Sequence, residues 1–441
     1  MAAGSAGLAA SAPGQARRRP NILYIMTDQQ RTDTLGCYGN PKAHTPVLDA
    51  LAGRGLRFSS CYATQPVCSP CRSSMLTGLF PSATGVVENN IPLPAGHYTW
   101  PRALHAEGYR TAYIGKWHLG DDPAPDYFDI WQGYHTGWPH WIKKEPVYQH
   151  PGESKAAYEA RAASAAHHGE NVGRYRPDLE TDHAIDFIRA CGDQPFLCWL
   201  SYYPPHTEKT VPEEDLAIFR GRFDSEEQDI YHAMVHRLDS NIGRLLRELD
   251  ALGLRQNTLV VFVSDHGENH PFRWNQHHKR LCTDQSANVP LILSWPGALP
   301  EGALVDPVFS VADLMPTLLD LCGMPVPEGI HGRSGVRLLH GDAAGWRDDV
   351  FIQNSPYRAD AKPIEGRPVA AMRERAVVTN DWKLILNNQR PPELYRRHAG
   401  PPDTDNVHGD PGNAGVVQDL RERLRAWGER TGDSITRALL A

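Results

Sequence analysis

Long hydrophobic runs are missing from this 441-residue sequence: the longest apolar stretches are strand-sized, well short of the ~20 residues that a membrane-spanning helix needs. Cysteine is scarce. Its eight copies, at 37, 61, 68, 71, 191, 198, 282 and 322, do not have the spacing of a disulfide framework, which fits a reducing compartment. No long run of one charge occurs, and 45 basic against 52 acidic residues leave a net charge of −7. A polybasic groove for nucleic acid or a basic membrane arm is thereby excluded, and an anionic substrate must be held by local cations. Repeats are absent too. In the Ala-, Gly- and Ser-rich beginning, Arg17, Arg18 and Arg19 follow the weakly apolar stretch, the reverse of a signal peptide. Residues 1–18 therefore read as a disordered leader and the chain as cytoplasmic.

What is present is an alternation of strand-length apolar runs and helical patterns, the signature of an α/β fold with a largely parallel sheet. Buried strands are predicted at 21–27 (NILYIMT), 111–114, 195–201 (PFLCWLS), 258–264 (TLVVFVS) and 289–294 (VPLILS). Helices are predicted from Thr45-Pro46 to Gly53, from Thr99 to Glu107, and from Val311 to Leu321. A long amphipathic helix carries Ile230, Met234, Leu238, Ile242, Leu245 and Leu249 and ends at Gly253. From about Asp348 the texture changes to short strands at 350–353, 376–378 and 382–386. A Pro/Gly/Asp-rich loop at 391–415 and a last helix with Leu420, Leu424 and Trp427 follow. This predicts a smaller α+β subdomain over 347–441 after a main domain over 19–346.

Ligands of open α/β sheets bind beyond the carboxyl ends of the strands. Here Asp28-Gln29 follows the first strand, Lys116 and His118 the strand at 111, His206 the strand at 195, and Asp265-His266 the strand at 258. Taken singly, an Asp after a strand is most often a turn or cap residue, and a lone His a surface or core residue. Coincidence at four strand ends points instead to one shared polar site.

A fifth element is Pro66-Val67-Cys68-Ser69-Pro70-Cys71-Arg72-Ser73-Ser74-Met75-Leu76-Thr77-Gly78, in which Pro70 suits a helix first turn. A group at Cys68 would face free backbone N–H donors and the positive end of the helix dipole, a setting for an oxyanion. The Cys68-x-x-Cys71 spacing also permits a redox pair, although thioredoxin-like motifs belong to much smaller domains. Zinc would want a second pair at similar spacing, and none exists.

The same run resembles the signature C-x-P-S-R followed by Leu-Thr-Gly of the sulfatase family in the alkaline phosphatase superfamily, with Cys71 in place of the usual Ser. The resemblance continues through RPNILYIMTDQQR at 19–31, GYRTAYIGKWHLG at 108–120, YYPPHT at 202–207, VVFVSDHGE at 260–268, VPLILSWPG at 289–297 and WKLIL at 382–386, in the family's order. It implies an alkaline phosphatase-like fold: a large, mostly parallel sheet flanked by helices on both faces, with a small C-terminal α+β subdomain containing an antiparallel sheet. It implies hydrolysis of an organic sulfate monoester by a formylglycine made from Cys68, whose hydrate attacks sulfur with one hydroxyl and expels sulfate with the other.

By the same resemblance, metal ligands map onto Asp28, Gln29, Asp265 and His266, together with residue 68. Gln29 and His266 depart from the commonest pattern and look more like choline-sulfatases and phosphonate monoester hydrolases. The expected ion is Ca2+, with Mn2+ the alternative because one ligand is an imidazole. Arg72 would steady the nucleophile and the metal-side carboxylates, Lys116 would hold a sulfate oxygen, and His118 would orient the diol or take its proton. His206 and Lys279 would bind sulfate and protonate the leaving alcohol. Phosphonate monoester hydrolases usually carry hydroxyl residues where Lys116 and His118 stand, so sulfate leads over phosphonate or phosphodiester. A non-catalytic binding protein, suggested by Cys71 alone, comes last. Implied partners are a small sulfated sugar, aryl or alkyl substrate and a formylglycine-generating enzyme during maturation, with room for a homo-oligomer and none for nucleic acid or membrane. The aromatic and basic residues Trp131, Tyr134, His135, Trp138, His140, Trp141, Lys143 and Lys144 either wall the substrate or pack a long loop. His270, His277 and His278 lie near Lys279 in sequence and receive no role.

Overall fold

The computed structural model describes residues 19–120, 122–135, 138–163, 169–269, 279–355 and 372–441. The expected leader at 1–18 and the histidines at 270, 277 and 278 lie outside the described residues. Eight strands form the main sheet: β1 (Asn21–Asp28), β2 (Leu56–Phe58), β3 (Arg110–Lys116), β4 (Ile130–Tyr134), β5 (Phe196–Pro205), β6 (Thr258–Ser264), β7 (Leu291–Ser294) and β8 (Ala303–Val305). Their spatial order is β8-β2-β7-β6-β1-β5-β3-β4. Only β7 runs against its neighbours; every other pairing is parallel.

Strand β1 is buried along its whole length because helices cover both faces. Ile22, Tyr24 and Met26 point into one core with Trp100, Trp199 and Met75, while Leu23 and Ile25 point into the other. Helices α1 (Pro46–Gly53), α2 (Cys68–Thr77), α3 (Trp100–Ala106), α4 (Arg176–Cys191), α5 (Glu226–Ala251) and α6 (Leu314–Leu321) supply the layers. In α5, Ser225 caps the first turn by accepting from the Gln228 N–H, and Val235, Leu238, Ile242, Leu245 and Leu249 form the buried stripe. Helix α4 packs beside it through Ala184, Phe187 and Ile188. Its charged sequence hid it from the hydrophobic pattern, so the sequence reading missed it. The strand predicted over 289–294 is split at Pro290: Asn288–Val289 joins a separate small sheet and only Leu291–Ser294 stays in the large one.

A second, antiparallel sheet follows: β9 (Asp349–Asn354), β10 (Glu374–Thr379), β11 (Trp382–Asn387) and β12 (Glu393–Arg396), in that order. Strand β12 falls inside the stretch read as a loop. One face of this sheet meets Leu420, Leu424 and Trp427 of α7 (Ala414–Thr431); the other packs against Tyr62, Cys282 and Val308 of the larger layer structure.

Candidate active site

The carboxyl ends of β1, β3, β5 and β6 converge on the first residue of α2. Cys68 is fully buried, and its Sγ lies 3.6 Å from Asp28 Oδ1, 3.2 Å from His266 Nε2, 3.4 Å from Lys116 Nζ and 3.1 Å from Lys279 Nζ. Burial alone would raise its thiol pKa, but Lys116, Lys279 and His266 together pull it well below the ordinary cysteine value.

Arg72, one turn into α2, reaches back to both carboxylates: Nη2 donates to Asp28 Oδ2 at 2.8 Å and Nε to Asp265 Oδ2 at 2.9 Å. It also donates to Ser201 Oγ at 2.9 Å and to the Lys116 carbonyl, so one guanidinium ties four strand ends together. Lys116 Nζ donates to Asp28 Oδ2 at 2.6 Å. Burial and Cys68 push the Asp28 pKa up, and Lys116, His206 and Arg72 more than offset them, holding it well below the carboxylate range. Asp265, buried and close to Asp28, is pushed up to about 6. A divalent cation between them would favour the charged form of both.

Asp28, Cys68, Asp265 and His266 offer ligand atoms that lie within 4.8 Å of one another. Gln29, the next residue after Asp28, has a φ of +67°; its backbone is pinned by Asp265 Oδ1 at 3.1 Å and by the Tyr231 hydroxyl at 2.6 Å, and its buried side-chain Oε1 has no hydrogen-bond partner among the described residues. An orphaned buried amide oxygen is compatible with a cation ligand. His266 Nδ1–H donates to the Gly267 carbonyl at 2.8 Å, which leaves the Nε2 lone pair directed at the cluster.

His206 and Lys279 also arrive: Lys279 Nζ lies 3.3 Å from His206 Nε2, while His206 Nδ1–H donates to the Thr207 carbonyl at 2.7 Å. Lys116 and His118 also reach the same hollow, His118 by a turn after the strand. His118 takes φ +62°, a left-handed residue after the strand end. Its Nε2 donates to Asn90 Oδ1 at 3.0 Å and its buried Nδ1 has no partner; burial and then Lys116 lower its pKa to about 4.

Two expectations change. The N-terminus of α2 is not a set of free donors: Pro70 has no N–H, the Ser69 N–H is taken by Asn89 Oδ1 at 3.0 Å, and the Cys71 N–H by the Val67 carbonyl. Positive potential at residue 68 comes from lysine side chains instead. Cys71 forms no pair with Cys68; both are free, and Cys71 faces the apolar core with Met75 and Tyr24. Burial in that core raises the Cys71 thiol pKa well above the ordinary value, a setting of an inert packing cysteine. The aromatic stretch divides: Trp131 stacks on Tyr113 inside the core, whereas Trp138, Lys143 and Lys144 line a separate cavity.

Sequence reasoning missed three consecutive residues. Glu88 takes both Nη groups of Arg280, next to Lys279; Asn89 caps Ser69; and Asn90, at φ +66°, holds His118. The signal was Glu-Asn-Asn, since Asn tolerates the left-handed region and caps helices.

The sequence model of the Sulfatase family matches residues 20–324. The chain belongs to the sulfatase family. A model described as "N-sulphoglucosamine sulphohydrolase, C-terminal" matches 272–430 of this sulfatase. The ulvan-active sulfatase of Formosa agariphila is 30% identical over 94% of this chain and 82% of its own length. A solved structure in complex with its substrate D-glucosamine-2-N,6-O-disulfate superposes with a TM-score of 0.79 at 25% identity, covering 95% of this chain and 99% of that one. The phosphonate monoester hydrolase of Agrobacterium radiobacter superposes with a TM-score of 0.71 at 25% identity, covering 94% and 96%. The activity of this sulfatase is sulfate ester hydrolysis. Its family implies a divalent metal and a formylglycine, with which the buried Asp28–Cys68–Asp265–His266 cluster is compatible.

Proposed function

We propose that this sulfatase cleaves the sulfate ester of a sulfated saccharide, with Cys68, matured to formylglycine, at the reacting centre. The observation that carries the reading is the meeting of two carboxylates, two ammonium groups and an imidazole around one buried residue at a helix start. The saccharide class is supported by the sugar disulfate named as substrate of the superposed structure.

Asp28, Asp265, Gln29 and His266 would hold the ion, for which three oxygen donors favour Ca2+ and the imidazole keeps Mn2+ as the alternative. Bound there, a divalent cation supplies Lewis-acid stabilisation of sulfate oxygens and lowers the pKa of an oxygen nucleophile. Lys116 and Lys279 bracket position 68 and set positive charge where the non-bridging oxygens of a sulfate gain negative charge. His118, neutral near pH 7, offers its Nδ1 lone pair as a proton acceptor. Lys279, the proton-bearing partner of His206 Nε2, hands a proton to the leaving alcohol. Arg72 acts on the two carboxylates, fixing their spacing. Because Cys68 is fully buried, a formylglycine-generating enzyme would have to act before α2 docks.

Peptide mass spectrometry across Cys68 tests the modification: an aldehyde in place of the thiol is expected, and an intact thiol in active enzyme rejects it. Cys68→Ala is expected to remain folded and to lose at least ~1,000-fold in kcat. Substantial residual activity would falsify the nucleophile assignment. Gln29 and His266, and the phosphonate hydrolase neighbour, favour a second reading, cleavage of phosphonate monoesters. Aryl sulfate turnover is expected to exceed aryl phosphonate turnover, and the opposite order would reverse the two readings. Metal content after chelation and reloading with Ca2+ or Mn2+ decides the ion.

A further inference from the structure

Past β4 the chain folds around a cavity of about 410 Å³, walled by Trp138, Pro139, Lys143, Lys144, Tyr158 and Arg176, residues that have no part in the site around Cys68. Cations outnumber carboxylates in its wall, Lys143, Lys144 and Arg176 against Glu145. Lys143 and Lys144 are exposed and enter no ion pair among the described residues. The carboxylate in the wall, Glu145, is committed to Asn171, accepting from its backbone N–H at 3.0 Å and from its side-chain amide.

Arg176 is only 4% exposed. Its guanidinium lies 4.7 Å over the Trp138 ring and its Nε donates to the Pro139 carbonyl at 2.8 Å, yet its Nη1 has no hydrogen-bond partner among the described residues. Glu180 faces the same guanidinium, but burial lifts its carboxyl to about 8, so near pH 7 it does not neutralise the charge. A buried cationic donor without an acceptor is costly, and here it opens on a cavity that could supply one. A guanidinium fork matches a carboxylate or a sulfate.

The cavity borders the reacting centre. Tyr134 pairs in register with Lys116, and Trp138 stacks flat on Tyr134 with ring centroids 4.7 Å apart. His140, after Pro139, packs edge-on against Tyr203, which in turn stacks on His206.

We propose that this cavity binds a second acidic group, carboxylate or sulfate, of the same saccharide whose sulfate ester lies at Cys68, with Arg176 as the buried donor and Lys143 and Lys144 at the mouth. The idea rests on the saccharide reading above. Calorimetric titration with three disaccharides tests it: one with a single sulfate and a uronate carboxylate, its methyl ester, and one with a second sulfate in place of the carboxylate. The wild-type protein is expected to bind the uronate or the disulfated form, or both, about tenfold tighter than the ester. A preference for only one of them identifies the acidic group. Arg176→Gln, and the surface double variant Lys143→Ala/Lys144→Ala in case the buried change perturbs folding, are expected to shrink the gap to about twofold or less, with aryl sulfate turnover unchanged. Equal binding of all three by the wild type, no binding of any, or a gap that survives in both variants overturns the proposal. A wild-type protein that shows the gap but hydrolyses no sulfate ester leaves the cavity assignment standing and strikes the Cys68 reading instead.

Discussion

Arg72 shows how much can depend on one side chain in this molecule. It is fully buried, and four of its five donors are spent on Asp28, Asp265, Ser201 and the Lys116 carbonyl. Removing it strips buried Asp265 of its guanidinium partner and leaves Asp28 with Lys116 alone, a change of about 3–5 kcal/mol in comparable ion pairs. Arg72→Ala is therefore expected to lower stability by about that amount in denaturant titration and to abolish turnover; a variant as stable as the parent would show that the carboxylates are otherwise neutralised. Arg72 was legible as a motif residue, whereas its role as a four-way clasp was not. Gln29 is the opposite case. Its place after Asp28 marked it, but the left-handed backbone and the orphaned buried Oε1 appear only in the structure.

At the scale of elements, the turn Glu88-Asn89-Asn90 braces three parts of the site: the Arg280–Lys279 segment, the start of α2, and His118. Glu88→Gln weakens the grip on Arg280 without touching a reacting atom. It is expected to reduce kcat/KM about tenfold for alkyl sulfates and less than threefold for nitrophenyl sulfate, because the proton donation proposed for Lys279 would matter most to poor leaving groups. An equal loss for both substrates would argue against the link to Lys279. Helix α4 carries a separate prediction through Glu180, whose Oε1 accepts from the Tyr134 hydroxyl at 2.9 Å. Its folded pKa, about 8, lies above the unfolded carboxyl value, so the folded state binds the extra proton between pH ~4.5 and ~8. Stability contributed by this group falls as pH rises through that window, by at most roughly 1.4 kcal/mol per pH unit. Glu180→Gln, measured by thermal unfolding across pH 5–8, is expected to flatten the decline; an unchanged slope would rule Glu180 out as its source. No hydrophobic periodicity disclosed this helix, since its buried face includes Arg176, Glu180 and Thr181 beside Ala184 and Ile188.

Across the whole molecule, the ends of four parallel strands, far apart in sequence, are held together by opposite charges in a buried hollow. Chelation of the bound cation is expected to remove activity and to lower Tm together, because ligand-binding energy adds directly to the folded state. Full activity after exhaustive chelation would contradict the ligand set of Asp28, Gln29, Asp265 and His266. Sequence alone determined the α/β layering, the cores of five of the eight main-sheet strands and the identity of the groups at the strand ends. Apolar patterning and turn residues are local properties, and a parallel sheet places its strand ends side by side whatever the loops do. Tertiary structure alone decided how those groups meet: which cations surround Cys68, that Cys71 faces the core, that Pro70 and Asn89 leave the helix start few free donors, and that Arg176, over Trp138, keeps a buried Nη1 without an acceptor among the described residues. Each depends on segments tens to hundreds of residues apart arriving within hydrogen-bond reach, and no local pattern encodes such a distance.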